Sequence, residues 1–125
     1  MAAAQFIQPN IGQLMTFKLE GPNYITWVNQ IVPILKTNDL MGFVYGSEPC
    51  PSKFLVDDKG IVTTTLSPEF ILWTKKDQFV LSWINSTLTE KVMASTFNVT
   101  NAQQIWESLH AVFLSFQNED FSPTM

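Results

Sequence analysis

A chain of 125 residues fits one domain, and 46% hydrophobic against 14% charged residues excludes intrinsic disorder over most of its length. A net charge of −4, with the basic residues scattered and all of them lysine, is wrong for a nucleic-acid surface, which needs clustered cations to neutralise phosphates. The charged content lies well below the about 25% of an average domain, so apolar surface is left for a partner.

Met1 to Lys18 carries Phe6, Ile7, Ile11, Leu14 and Phe17, broken by Pro9 and Gly12, and reads as an arm (1–18) lying on a domain. Its start lacks the basic residues of a signal peptide, and no apolar run approaches the roughly 18 residues of a membrane span. The single cysteine, Cys50, sits between Pro49 and Pro51 and permits no internal disulfide. A cytoplasmic protein is therefore expected.

Gly21 and Pro22 end the arm's approach, and Asn23 has the chemistry of an N-cap. Tyr24, Trp27, Val28, Ile31, Ile34 and Leu35 then recur at helical spacing, which predicts a helix over Tyr24–Thr37. Pro33 lies inside it at a cost of about 3 kcal/mol, and the stripe continuing in phase predicts a kink rather than a break. Asp39 is placed to cap a short turn over Leu40–Val44. Phe54–Val56, the turn Asp57–Gly60 and Ile61–Thr63 predict a short β-hairpin over Phe54–Thr63, which must lean on the helices or remain a loop, because two strands alone are marginal.

Ser67, Pro68 and Glu69 make a helix start, and the predicted helix runs over Pro68–Leu88 with Phe70, Trp73, Val80, Leu81, Ile84 and Leu88 on one face and Asp77 among them. Thr89 caps a short helix over Glu90–Phe97 that carries Val92, Met93 and Phe97. Thr100 and Gln103 have the spacing of a capping box, ahead of a helix over Asn101–Phe116 with Ile105, Trp106, Leu109, Val112, Phe113 and Phe116 in phase. Beyond Gln117 the chain turns polar and acidic, a tail (117–125). These elements predict an all-α fold, a small bundle of about four helices with the one hairpin. Tyr24, Trp27, Ile31, Trp73, Asp77, Trp83, Ile84, Trp106, Leu109 and Phe113 are its expected core.

Leu19-Glu20-Gly21-Pro22-Asn23-Tyr24-Ile25-Thr26-Trp27, then Pro33-Ile34-Leu35, Asp39 to Gly46 and Pro49-Cys50-Pro51, stand in an order that resembles the opening of the Gag region of plant copia-type retrotransposons. Pro68-Glu69-Phe70 with Trp73, Asp77 to Glu90, and Ala102 to Phe116 with Ile105-Trp106 and Leu109 are similar to the segments that follow in that family. The likeness covers about Leu14 to Phe116. It implies a helical, capsid-like Gag domain (19–116) that self-associates into particles. Family members continue into a basic stretch, further helices, a zinc knuckle and a protease, none of which occurs here. The chain is therefore expected to be a truncated copy whose assembly is partial.

Each residue that carries chemistry has a plainer reading beside the sharp one. Asp77 as a proton-transfer carboxylate lacks a second acid or histidine at a workable spacing, so a core aspartate bonded to a backbone or indole N–H is expected. His110 alone makes no metal site, since zinc takes three or four ligands. Cys50 has no cationic neighbour to activate it. The four tryptophans sit in phase on helices, which favours packing over stacking on nucleobases. Asp57-Asp58 is too short for a calcium loop and fits a turn.

No nucleotide loop, metal cluster or nucleophile–base pair is present, so no enzyme, cofactor, small-molecule substrate, nucleic acid or membrane is expected. The expectation is a structural module acting by association with itself or a Gag-like chain. An exposed apolar patch at Leu114 and Phe116 is its expected contact surface, with coverage by Phe6 or Ile7 of the arm as the alternative. The second functional reading is a co-opted or decayed Gag fragment serving as a scaffold or an interfering binder of another protein.

Overall fold

Leu19 anchors the entering chain: its N–H donates to the Thr87 carbonyl at 2.7 Å while the Thr89 N–H donates back to the Leu19 carbonyl at 3.1 Å. This short parallel bridge ties the entering chain to a loop far along the sequence and buries Leu19 and Leu88 completely. The protein is seen in a computed structural model that describes Phe6 and residues 15–121, with side chains through Leu114. Of the expected arm only Phe6 and residues 15–18 lie within the described residues, and Ile7 lies outside them. Among the described residues the chain is mostly helical, with five helices and one two-stranded antiparallel sheet.

Helix α1 (Tyr24–Thr37) buries Tyr24, Trp27, Ile31 and Leu35. It runs through Pro33 without interruption, and that residue sits on the exposed side. Asn23 does not cap α1 as its type predicts. Its backbone (φ −90°, ψ 23°) is not in the extended conformation a capping side chain needs. Its carboxamide closes the preceding loop instead, accepting from the Glu20 and Gly21 N–H groups at 2.9 and 3.3 Å and donating to the Lys18 carbonyl at 2.9 Å.

Helix α2 (Met41–Tyr45) lies one residue later than the expected turn, and Asp39 is not its cap. Asp39 takes a left-handed conformation (φ 59°) that turns the chain between α1 and α2. Gly46 (φ 84°) ends α2, donating to the Gly42 carbonyl at 2.9 Å. Gly42 allows the next loop to close over it, since a Cβ there would stand 2.9 Å from the Glu48 Cβ. Trp73 then pins that loop by donating its indole N–H to the Glu48 carbonyl at 2.8 Å.

Strands β1 (Phe54–Val56) and β2 (Val62–Leu66) pair Val56 with Val62 and Phe54 with Leu66, so β2 bulges between the two pairs and extends beyond the predicted Thr63. The Asp57 carboxylate organises the turn by accepting from the Lys59 and Ile61 N–H groups, both at 2.9 Å. Helix α3 (Pro68–Ser86) starts behind Ser67 as predicted but stops two residues early. The Thr87 hydroxyl donates to the Ile84 carbonyl at 2.7 Å, and Leu88 is drawn off into its bridge with Leu19.

Helix α4 (Glu90–Ala94) is capped by Thr89 and ends three residues before the expected Phe97. The Ser95 and Thr96 hydroxyls fold back onto the Val92 and Met93 carbonyls at 2.6 and 3.0 Å, and Asn98 (φ 73°) turns the chain away. Phe97, expected on the helix stripe, is thereby rotated outward to 77% exposure.

Helix α5 (Ala102–Phe121) overruns the expected end at Phe116, so residues 117–121 continue the helix where a tail was expected, and residues 122–125 lie outside the described residues. The capping box is displaced by one residue. Asn101 accepts from the Gln104 N–H at 2.8 Å, and the Gln104 side chain accepts from the Thr100 N–H at 2.7 Å. Gln103 reaches Glu107 instead, at 3.0 Å. Helix α5 packs on α2 and α3, and Ala102, Ile105, Leu109 and Phe113 complete a core with Trp27, Ile31, Leu35, Val80, Ile84 and Val92.

Candidate interaction surface

An aromatic band joins α1 to α5. Tyr24 stacks on Phe113 with ring centres 5.5 Å apart and on Trp27 at 6.1 Å, Trp27 meets Trp106 at 5.8 Å, and Trp106 meets the edge of Tyr45 at 6.5 Å. Trp27 is fully buried, and its indole N–H donates to the Thr87 hydroxyl at 3.1 Å. Trp83 is buried as well, yet its N–H has no hydrogen-bond partner among the described residues. Trp106 and Trp73, expected to be largely buried, are partly buried and pack against the core. Each lies at the edge of the core: Trp106 under the exposed Tyr45, and Trp73 between Phe43 and the loop it anchors. Among the expected core, Tyr24, Ile31, Ile84, Leu109 and Phe113 are all buried.

Asp77 is 3% exposed. Its carboxylate accepts from the Ala102 N–H at 3.0 Å and from the Gln78 side chain at 3.1 Å. It therefore satisfies a free donor in the first turn of α5 and sets a negative charge at the positive end of that helix. That makes Asp77 a joint between two helices. His110 is exposed, with Nδ1 3.2 Å from the Tyr24 hydroxyl. Burial pushes the Tyr24 hydroxyl above its ordinary pKa, because the phenolate would be poorly solvated. Cys50 is exposed and free. Among the described residues no group of three or more His, Cys, Asp or Glu could hold a metal ion, and no helix is long and apolar enough to cross a membrane.

What remains to explain is apolar surface. Leu114 is 46% exposed and Val112 39%, on opposite flanks of buried Phe113. The Phe116 side chain lies outside the described residues. Phe6 does not cover Leu114. It packs edge-on against Phe79 of α3 at 5.2 Å, beneath the Lys76 ammonium. Three features that sequence reasoning missed add to this surface. One is the hairpin, where Leu55, Val56, Ile61, Val62 and Leu66 are all at least 41% exposed, so it forms without leaning on the helices. The run of Thr63, Thr64 and Thr65 leaves β2 without the apolar alternation of a half-buried strand, and that is the signal that could have marked a sheet with no buried face. The second is Phe97. The third is an apolar groove of about 460 Å³ between the Glu20–Pro22 loop, α4 and α5, floored by Val92, Val112 and Phe113.

No protein-family model matches the chain, and no solved structure matches it. Over 104 residues, 83% of its length, it is 27% identical to the retrovirus-related Pol polyprotein from transposon RE2 of Arabidopsis thaliana. The chain spans only 7% of that polyprotein. The match supports a retrotransposon origin.

Proposed function

We propose that this chain is a non-enzymatic, Gag-like structural module of a copia-type element that acts by protein–protein association. The observation that carries the reading is the surplus of large apolar side chains on a charge-poor surface: the hairpin set, Phe97 and Leu114. A soluble monomer gains nothing from such exposure, whereas a subunit of an assembly buries it. The order of sequence motifs resembling copia-type Gag and the likeness to a transposon polyprotein agree with that role. The partner is a second copy or a related Gag-like chain, in the cytoplasm, with Leu114 and Phe116 in one contact. The function needs no cofactor, small molecule, membrane or nucleic acid bound by this segment.

Sedimentation velocity at rising concentration tests the reading. Association that grows with concentration is expected, and Leu114→Lys weakens it while helix content stays unchanged. A strictly monomeric chain that binds no apolar dye overturns self-association. If that monomer still captures a longer Gag chain and blocks its assembly, the interfering-binder role replaces it.

A further inference from the structure

We infer that the outer edge of β1 is a two-fold contact at which a second copy of this chain adds its own β1 antiparallel, joining two hairpins into one sheet centred on Leu55. The inference rests on the proposed self-association and names a surface for it. The edge is open. The Lys53 carbonyl accepts from the Ser67 N–H at 2.8 Å, the Leu55 carbonyl accepts from the Thr63 hydroxyl at 2.8 Å, and the Asp57 N–H donates to the Ile61 carbonyl at 2.9 Å. Lys53, Leu55 and Asp57 thus turn their backbone groups toward β2, and by strand alternation Phe54 and Val56 turn theirs away from it. Among the described residues no loop or helix bonds to that side of Phe54 or Val56. An unpaired edge is a template for another strand, and β1 holds neither a charge nor a proline within Phe54–Val56 to block it.

The placing of charges along β1 selects a second copy as that strand. A two-fold axis through Leu55 sets residues equally far from it against one another. Leu55 then faces Leu55, Phe54 of each copy faces Val56 of the other, and Lys53 of each faces Asp57 of the other. Lys53, Leu55 and Asp57 share one face of the strand by alternation, so a leucine pair is flanked at both ends by opposite charges. Like charges at those two positions would have opposed the pairing. Asp57 holds its turn through Oδ1, which leaves Oδ2 for a lysine. Pairing also answers the weakness of the hairpin itself. Two strands are marginal in water, and here Leu55 and Val56 are left 42% and 56% exposed, whereas doubling the sheet covers the edge they share. β2 is the poorer edge, because it bulges between its pairs with β1 and its Thr65 N–H is turned back onto the Thr63 hydroxyl at 3.2 Å.

The test is disulfide trapping in the full chain carrying Cys50→Ser, so that the only thiol is the one introduced. Leu55→Cys sets two thiols across a non-hydrogen-bonded pair, where Cα atoms lie about 4.5 Å apart, within disulfide range. Air oxidation is expected to give a covalent dimer in high yield from Leu55→Cys and little from Thr64→Cys, an exposed position on β2 of the same hairpin. Adding Lys53→Glu sets acid against acid and is expected to cut the Leu55→Cys yield several-fold at low salt. In sedimentation, Val56→Pro removes one donor per copy from the shared edge and is expected to weaken association roughly tenfold, with circular dichroism confirming that the helices persist. An associating wild type that fails to crosslink through Leu55→Cys, or that is unaffected by Val56→Pro, overturns this edge and leaves the proposed function standing. Equal trapping through Thr64→Cys overturns β1 as the shared strand, and a yield indifferent to Lys53→Glu overturns the register. A wild type that stays monomeric throughout overturns both the edge and the proposed self-association.

Discussion

Asp77 sits on the buried face of α3 and yet holds the start of α5 in place, so its two functions can be separated by substitution. Asp77→Asn keeps an oxygen for the Ala102 N–H and loses the charge at the helix end together with the acceptor for the Gln78 side chain, a cost of about 1 kcal/mol. Asp77→Leu leaves that donor buried and unpaired, for about 2–3 kcal/mol, and urea unfolding should rank the two in that order. A second contrast lies between the buried indoles. Trp27→Phe breaks the bond to Thr87, whereas Trp83→Phe breaks none. The first is expected to cost about 1 kcal/mol more than the second, and equal unfolding midpoints would show that the Thr87 bond contributes nothing. Tyr24 adds a pH dependence of known sign. Its folded-state pKa is raised, so the fold is unaffected below the ordinary value of 10.0 and loses stability as pH climbs from there toward the folded value. Tyr24→Phe removes that part of the alkaline loss, which unfolding midpoints compared between pH 9 and 11 will reveal, roughly one unit either side of the ordinary tyrosine value.

At the scale of elements, what was legible in the sequence is what repeats locally. The Tyr24–Thr37 stripe is long and in phase, so α1 could be bounded without knowing its neighbours. Ser67-Pro68-Glu69 marks a start through the next few residues alone, and α3 begins where they put it. Helix ends were less legible, because the groups that finish them come from elsewhere. The α3 terminus depends on Leu19, far away in the chain, taking Thr87 and Leu88 into a bridge. The α4 terminus depends on two hydroxyls competing for its last carbonyls, which periodicity cannot register. Asp77 stood out as an acid on an apolar stripe, but its partner, Ala102, lies 25 positions on and only packing reveals it. Trp73 and Trp106 were in phase, and phase alone does not say how deep in the core a ring sits. Gly46 makes the same point from the backbone side. At φ 84° any other residue is strained, so Gly46→Ala is expected to cost about 1–2 kcal/mol and to loosen α2, measurable by hydrogen exchange of the Gly42–Tyr45 amides.

At the scale of the whole molecule, the helices and the hairpin answer to different requirements. The helical body satisfies itself: its apolar stripes meet in one core, and the joints at Leu19–Leu88 and Asp77–Ala102 lock its ends. The hairpin contributes almost nothing to that core, because both of its faces remain in water and its tip residues Ile61 and Val62 are 60% and 65% exposed. Burial is what makes an apolar side chain stabilising, so these residues add little to the stability of the isolated chain. Replacing both with threonine preserves strand preference and removes exposed hydrocarbon. The unfolding midpoint is then expected to stay within about 0.5 kcal/mol of the parent, as for surface changes generally. Binding of an apolar dye should fall. A large loss of stability would mean that the hairpin packs on the helices in solution, and the surplus of exposed apolar surface on which the proposed assembly role depends would shrink accordingly.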